Sequence, residues 1–291
     1  MQKLPDAVRI DAGRGGLWRV IVETPQAEAE IYRHGAHVTH FQPRGQKPVL
    51  FMSEKSSFEA GKPIRGGVPI CFPWFGARED GRPGPPHGFA RLLEWELTGA
   101  EEAGNGDIEI HLRLVSSEAT RKEWAGDFEL NYTVRVGAML SLKLDVRNTS
   151  NQEMRIEEAL HTYLAVSDVK RVSIEGLAGV TYSDRVGTPH TETEGSAPIR
   201  ITAETDRIYL NTRSTCVVDD PGWGRRVVVE KSGSNTTVVW NPWIAKSKAM
   251  PDFGDDEWPG MLCIETCNVR EFGVTLAPGQ SHTMGAVIRT E

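Results

Sequence analysis

The sequence predicts an all-β protein, a large antiparallel β-sandwich with very few short helices, and three observations carry that expectation. Apolar and polar residues alternate strictly over long stretches between 107 and 146. Helical periodicity is nearly absent elsewhere, while clusters of Gly, Pro, Asn and Asp end one short apolar run after another. No βαβ alternation, internal repeat or linker divides the 291 residues. A single domain over 1–291 is therefore expected, somewhat beyond the roughly 250 residues to which large sandwiches routinely run as one domain.

From the amino terminus, Asp6, Arg9, Asp11 and Arg14 interrupt any apolar run that could act as a signal peptide or membrane span, so a cytoplasmic protein is expected. Strands are predicted at 18–24, 28–41 and 48–52. The stretch 61–95, GKPIRGGVPICFPWFGAREDGRPGPPHGFARLLEW, is too rich in Gly and Pro for ordinary strand and too aromatic for an ordinary solvent loop. A long structured loop of this kind reads as functional. Next, Ile108, Ile110, Leu112 and Leu114 alternate with Glu109, His111 and Arg113, the signature of a strand with one wet face. A short helix is predicted from Glu118 to Trp124 with Ser117 as its cap. Alternating runs at 128–136 and 140–146, joined through Gly137, read as an antiparallel hairpin. Further strands are predicted at 154–167, 171–176, 226–231, 236–241, 260–268 and 283–289.

Lys plus Arg number 33 against 40 for Asp plus Glu, a net charge of −7, which speaks against a general nucleic-acid or anionic-membrane surface. An anionic ligand would need a local cationic pocket. Cys71, Cys216, Cys263 and Cys267 form no CxxC pair and are expected as buried free thiols. No HExxH, P-loop, G-x-S-x-G or dinucleotide fingerprint occurs, so those enzyme classes lose their usual support.

Acid–base chemistry on a β-scaffold remains. Loop 61–95 holds Arg65, Arg78, Arg82 and Arg91 with His87 among Phe72, Trp74, Phe75 and Phe89. Such arginines either build a phosphate or carboxylate pocket or decorate a surface loop. Strand parity sets His161 with Tyr163 and Ala165, away from Leu160, Thr162 and Leu164. An imidazole there is either structural or a proton carrier. Glu265 interrupts a run apolar on both parities, where a carboxylate is expensive unless hydrogen bonds, an arginine or a ligand meets it. Trp240, Trp243 and Trp258 either fill the core or stack on a sugar face. The acidic run from Asp252 to Glu257 reads as a solvated lid.

Taken together, the blocks IRGGVPICFPWFG (64–76), HGFAR (87–91), ALHTYL (159–164), TDRIY (205–209), VVWNPWIAKSKAMPDFG (238–254) and CIE (263–265) resemble the hexose-6-phosphate mutarotases of the aldose-1-epimerase group. They occur in the family's order and span nearly the whole chain. The resemblance implies a galactose-mutarotase-like β-supersandwich with its site on the concave face. It implies an isomerase that interconverts the α and β anomers of glucose 6-phosphate and related hexose 6-phosphates, with no metal or organic cofactor. Carried over by position, Glu265 matches the general base and His161 the general acid. His87 matches a sugar-contacting histidine, Asp206 a hydroxyl-binding aspartate, and Arg65 and Arg91 the arginines that contact substrate and phosphate. Arg82, Trp243 and Lys246 are further pocket candidates. Where some relatives carry a lysine before the His-Gly block, this chain has Arg82 and prolines. Where others have Pro-Gly-His after the catalytic Glu, it has Thr266, Cys267 and Asn268. The expected partner is a small-molecule hexose 6-phosphate bound by a monomer. The alternative is a non-catalytic sugar-phosphate-binding or regulatory protein on the same fold. A glycoside hydrolase would need a second carboxylate, for which Asp206 is the one candidate.

Overall fold

A computed structural model describes residues 4–78 and 80–291. The most regular alternation in the chain builds an eight-stranded sheet. Its order is Ser173–Glu175, Cys216–Asp220, Arg225–Ser232, Ser281–Thr290, Leu140–Asn148, Phe128–Val136, Ile108–Val115 and Glu96–Glu102. Ile108, Ile110, Leu112 and Leu114 turn one face of their strand into the core, and Glu109, His111 and Arg113 stay half-buried on the other. The expected hairpin is antiparallel and registers Phe128 opposite Asn148 through to Val136 opposite Leu140.

A second eight-stranded sheet runs His190–Thr193, Thr181–Asp184, Thr205–Tyr209, Thr236–Asn241, Met261–Asn268, Glu158–Leu160 and Ile70–Cys71, with Tyr163–Ala165 also paired to Met261–Asn268. All eight residues of Met261–Asn268 are buried. The strand has neighbours along both edges and packing on both faces, which is why its apolar residues do not alternate. A four-stranded meander, Val8–Ala12, Trp18–Glu23, Ala27–Tyr32 and His37–Pro43, adds Val20, Val22, Ala29 and Ile31 to the same hydrophobic core as the two large sheets. Each fully buried Val, Leu, Ile or Phe contributes about 1.5–3 kcal/mol, so this shared core dominates the stability.

Two predicted strands are broken. The run 28–41 divides at a tight corner where Gly35 has φ 74° and Ala36 φ 47°. A Cβ on Gly35 would sit 2.7 Å from the Arg91 carbonyl oxygen, so the close approach requires glycine. The run 154–167 divides into Met154–Ile156, Glu158–Leu160 and Tyr163–Ala165. At 48–52 only isolated bridges form, Leu50 to Leu164 and Met52 to Gly66. The helix at Glu118–Glu123 is present, closed by a reciprocal capping box between Ser117 and Thr120. A second helix, Trp243–Ala249, was not predicted, nor were strands such as Val8–Ala12, Thr181–Asp184 and Thr205–Tyr209.

The acidic run is no solvated lid. Ser53 Oγ donates to the Glu257 carboxylate at 2.5 Å, the backbone N–H groups of Glu54 and Gly254 donate to it at 2.8 Å each, and Lys55 pairs with Asp255 at 2.6 Å. All four cysteines are buried and free. No helix among the described residues is long and apolar enough to cross a membrane. The first three residues of the charged amino-terminal stretch lie outside the described residues.

Candidate active site

Cross-strand register assembles the floor of a cleft of about 390 Å³, within the usual size of small-molecule sites. One rung of the second sheet aligns Asp206, Trp240, Cys263 and Tyr163. The next rung aligns Ile208, Val238 and Glu265. Because side chains alternate with period two, both rungs face the same side of the sheet. His161 completes the second rung from the break between Leu160 and Tyr163. There its N–H donates to the Pro69 carbonyl, and Ile264 N–H donates to the Thr162 carbonyl. His161 lies parallel to Tyr163 with ring centroids 4.8 Å apart, and the Trp240 indole meets it edge-on at 6.0 Å. The predicted sharing of a face by His161 and Tyr163 thus survives the break in the strand.

His161 Nδ1 and Glu265 Oε1 stand 3.4 Å apart on the floor. The geometry is not that of a hydrogen bond, and neither His161 Nδ1 nor Glu265 Oε2 has a hydrogen-bond partner. Burial pushes the Glu265 carboxyl well above its ordinary range, reinforced by the Asp206 charge and opposed by Arg91. Burial also pushes His161 well below its ordinary range, helped by His87, Arg91 and Arg65. Burial thus works against the charged form of each group, the Glu265 carboxylate and the His161 imidazolium.

Loop 61–95 forms one wall. Arg65 donates to the Asp252 carboxylate at 3.1 Å and to the Tyr163 hydroxyl at 3.1 Å. His87 sits at φ 63° and accepts the Gly76 N–H through Nδ1 at 3.3 Å, which leaves Nε2 to carry the neutral ring's proton. Burial, followed by Arg91, Arg65 and Arg270, holds His87 down at about 3. Gly88 follows with φ 72° and lets the chain fold back, since a Cβ there would lie 2.0 Å from the Phe72 carbonyl oxygen.

Four cations, Arg65, Arg185, Lys246 and Arg270, line the cleft against two acids, Asp206 and Glu265. This local excess stands out in a chain of net charge −7. None of the four belongs to a strand. Asp206 is raised by burial and lowered by Lys246 and Arg185, and Lys246 Nζ lies 3.7 Å from it.

Residues 19–289 match the aldose 1-epimerase family. The chain belongs to the aldose 1-epimerase family. It is 36% identical over 253 residues to an Escherichia coli K12 protein provisionally named glucose-6-phosphate 1-epimerase, covering 87% of this chain and 83% of that one. A protein of the same provisional name from Cenchrus ciliaris is 36% identical over 262 residues, covering 87% and 78% of the two chains. A Salmonella typhimurium crystal structure provisionally described as a mutarotase superposes with a TM-score of 0.89 at 31% identity, covering 100% of this chain and 95% of that one.

This aldose 1-epimerase family member brings together His161, Glu265, Arg65, His87, Asp206 and Lys246, all expected from the sequence, in one cleft. Three expectations need correction. Arg82 lies on the surface, where its guanidinium and that of Arg78 converge on Asp80. Trp243 packs on Trp258 at 4.2 Å and does not line the cleft. Arg91 is buried behind the wall, donating to the Pro86 carbonyl at 2.8 Å, so it reaches the site through its charge alone. Two cleft cations, Arg185 and Arg270, had no local signal. Arg185 follows a short polar strand, and Arg270 is turned inward by a backbone φ of 58° that no periodicity shows.

Proposed function

We propose that the protein interconverts the α and β anomers of hexose 6-phosphates, glucose 6-phosphate foremost. The observation that supports this reading is an acid–base pair, His161 and Glu265, 3.4 Å apart on the floor of a cleft rimmed by four cations. Ring opening needs a proton removed from the anomeric hydroxyl while the ring oxygen gains one. Glu265 takes the first and His161 supplies the second as the bond between C1 and the ring oxygen breaks, leaving an open-chain aldehyde. Rotation about C1–C2 turns the other carbonyl face to the attacking hydroxyl. On reclosure that hydroxyl returns its proton to His161, and Glu265 returns its own to the carbonyl oxygen. No step calls for a metal or organic cofactor.

The pair holds one proton throughout, and only its location changes. Starting the reaction requires carboxylate and imidazolium, whereas the open-chain stage requires carboxylic acid and neutral imidazole. Burial works against the two charges of the former, and their mutual attraction at 3.4 Å works for it. The phosphate's negative charge, held by Arg65 and its neighbours, favours a protonated His161 in the complex. One continuous core is in keeping with a single domain over 1–291.

The test is anomer exchange of freshly produced α-glucose 6-phosphate followed by NMR, with glucose, galactose and a Glu265→Gln variant alongside. Acceleration favouring the phosphorylated sugar and lost in the variant is expected. Binding without acceleration of any sugar would overturn the reading.

A further inference from the structure

We propose that His161, Cys263 and Glu265 form a latent site for a borderline-soft divalent cation, Zn²⁺ above all, whose occupancy shuts the cleft down. The geometry follows from the rungs. Cys263 and Glu265 are two residues apart on one strand and so point to the same side, and Cys263 pairs with Tyr163, on whose ring His161 stacks. An imidazole nitrogen, the thiol sulfur and a carboxylate oxygen therefore lie within 4.8 Å of one another.

Zinc bonds of about 2.0–2.2 Å to nitrogen and oxygen in a tetrahedron set those ligand atoms about 3.3–3.6 Å apart. His161 Nδ1 and Glu265 Oε1 already stand 3.4 Å apart without a hydrogen bond between them. His161 and Glu265 are both more than nine-tenths buried, and each keeps a buried polar atom with no partner, His161 Nδ1 and Glu265 Oε2. A cation would satisfy them. The donor set also selects the ion: sulfur with imidazole favours zinc over magnesium or calcium, which prefer all-oxygen shells. Three protein ligands leave a fourth position open toward the cleft. The trio of exposed Glu101 with half-buried Glu109 and His111 lacks these features, since His111 is already bonded to Thr133 and Glu101.

On binding, the Cys263 S–H bond breaks and the one proton held between Glu265 and His161 is displaced, both protons leaving to solvent as the bonds to zinc form, so affinity rises with pH. Cys263 has no part in the proton transfers, although it shares the floor rung with Asp206, Trp240 and Tyr163. The inhibitory effect rests on the acid–base reading, because zinc would occupy the lone pairs that Glu265 and His161 use to carry protons. The site itself does not rest on it.

The experiment titrates the full chain with Zn²⁺ alone by calorimetry and with Co²⁺ by absorption, and follows anomer exchange in parallel. One equivalent of Zn²⁺ is expected to bind, Co²⁺ to give a thiolate charge-transfer band, and exchange to fall and recover with chelator. Cys263→Ser should lose the band and, measured against its own zinc-free rate, need at least about tenfold more Zn²⁺ for the same fractional inhibition, the scale on which lost metal-site interactions act. Cys263→Ala serves if the serine variant does not fold, and the cobalt spectrum of the unaltered chain needs no variant. Absence of a thiolate band, or equal zinc sensitivity with and without Cys263, would overturn the proposal. A band in a chain that exchanges no sugar would uphold the site and sink only the mutarotase reading.

Discussion

Arg65 and Arg91 carry the same charge and flank the same wall, yet only Arg65 opens onto the cleft. A charge-assisted hydrogen bond contributes about 1.5–3 kcal/mol, or roughly 10- to 150-fold in a rate or binding constant. Arg65→Ala should therefore lower kcat/KM for the 6-phosphate by about that factor relative to free hexose. Arg91→Ala should lower both substrates alike and depress Tm, because a buried guanidinium is replaced by a void. Equal losses on both sugars in Arg65→Ala would remove its phosphate role. The acid–base pair has its own signature. With His161 depressed and Glu265 raised by burial, the singly protonated pair spans a wide interval, so kcat/KM should be a broad bell. Its acid limb should fall below pH 6.5, the ordinary histidine value. A profile still climbing through neutral pH would contradict this. Of these residues, the shared face of His161 and Tyr163 was legible from strand parity and the unusual burial of Glu265 from the apolar run it interrupts, whereas their pairing as acid and base came from the family resemblance alone. The Arg65–Asp252 contact was not legible, because 187 residues separate the partners.

At the scale of elements, the segment after helix Trp243–Ala249 is stapled by the Glu257 carboxylate beside the Lys55–Asp255 and Arg65–Asp252 pairs. Glu257 accepts from Ser53 Oγ, Glu54 N–H and Gly254 N–H, tying the segment that carries Asp252 to the loop that leads to Arg65. Glu257→Ala leaves buried donors unmet at about 1–3 kcal/mol. We expect a lower Tm, faster hydrogen exchange across 250–257 and a raised KM, with kcat nearly intact. Unchanged exchange in that segment would show that the staple is idle. Glu157 does a similar job, accepting the Phe75 N–H of loop 61–95 at 2.8 Å and the Arg270 N–H at 2.5 Å. Isolated strands with one wet face, such as 108–115, could be read directly, since their pattern records local burial. The break at 161–162 could not, because alternation runs straight through it and long-range packing decides where pairing stops, whereas the corner at 33–36 carries a local turn signal in Gly35. Helix Trp243–Ala249 also escaped, being short and opened by a proline and a residue at positive φ.

For the molecule as a whole, buried histidines set the acid limit. Burial holds His37 and His87 at about 3 each, against 6.5 in the unfolded chain. Between those values the unfolded state binds protons that the folded state refuses, so stability is full above pH 6.5 and is lost as pH falls toward 3. Each such histidine costs about 1.4 kcal/mol per pH unit inside that window. Urea midpoints should therefore drop steeply from pH 6 to 5, and less so in His37→Gln, which lies outside the cleft. An identical drop in the variant would sink the assignment. The sandwich class was legible because alternation and punctuation pervade the chain, whereas the strand order, which places Met261–Asn268 at the centre of its sheet, is a property of contacts across the whole length.

The cleft's floor and its rim come from different kinds of backbone. Glu265, Asp206, Trp240 and Tyr163 are locked into strand register, while Arg65, Arg185, Lys246 and Arg270 sit on loops, a helix and a turn. A residue inserted in a strand would flip the reactive side chains to the wrong face, but a rim segment tolerates changes in length and composition. The fold thus separates what is done to the sugar from which sugar is admitted. Selectivity for the 6-substituent should be open to redesign, or to evolutionary drift, through a handful of loop positions while the proton chemistry beneath stays intact.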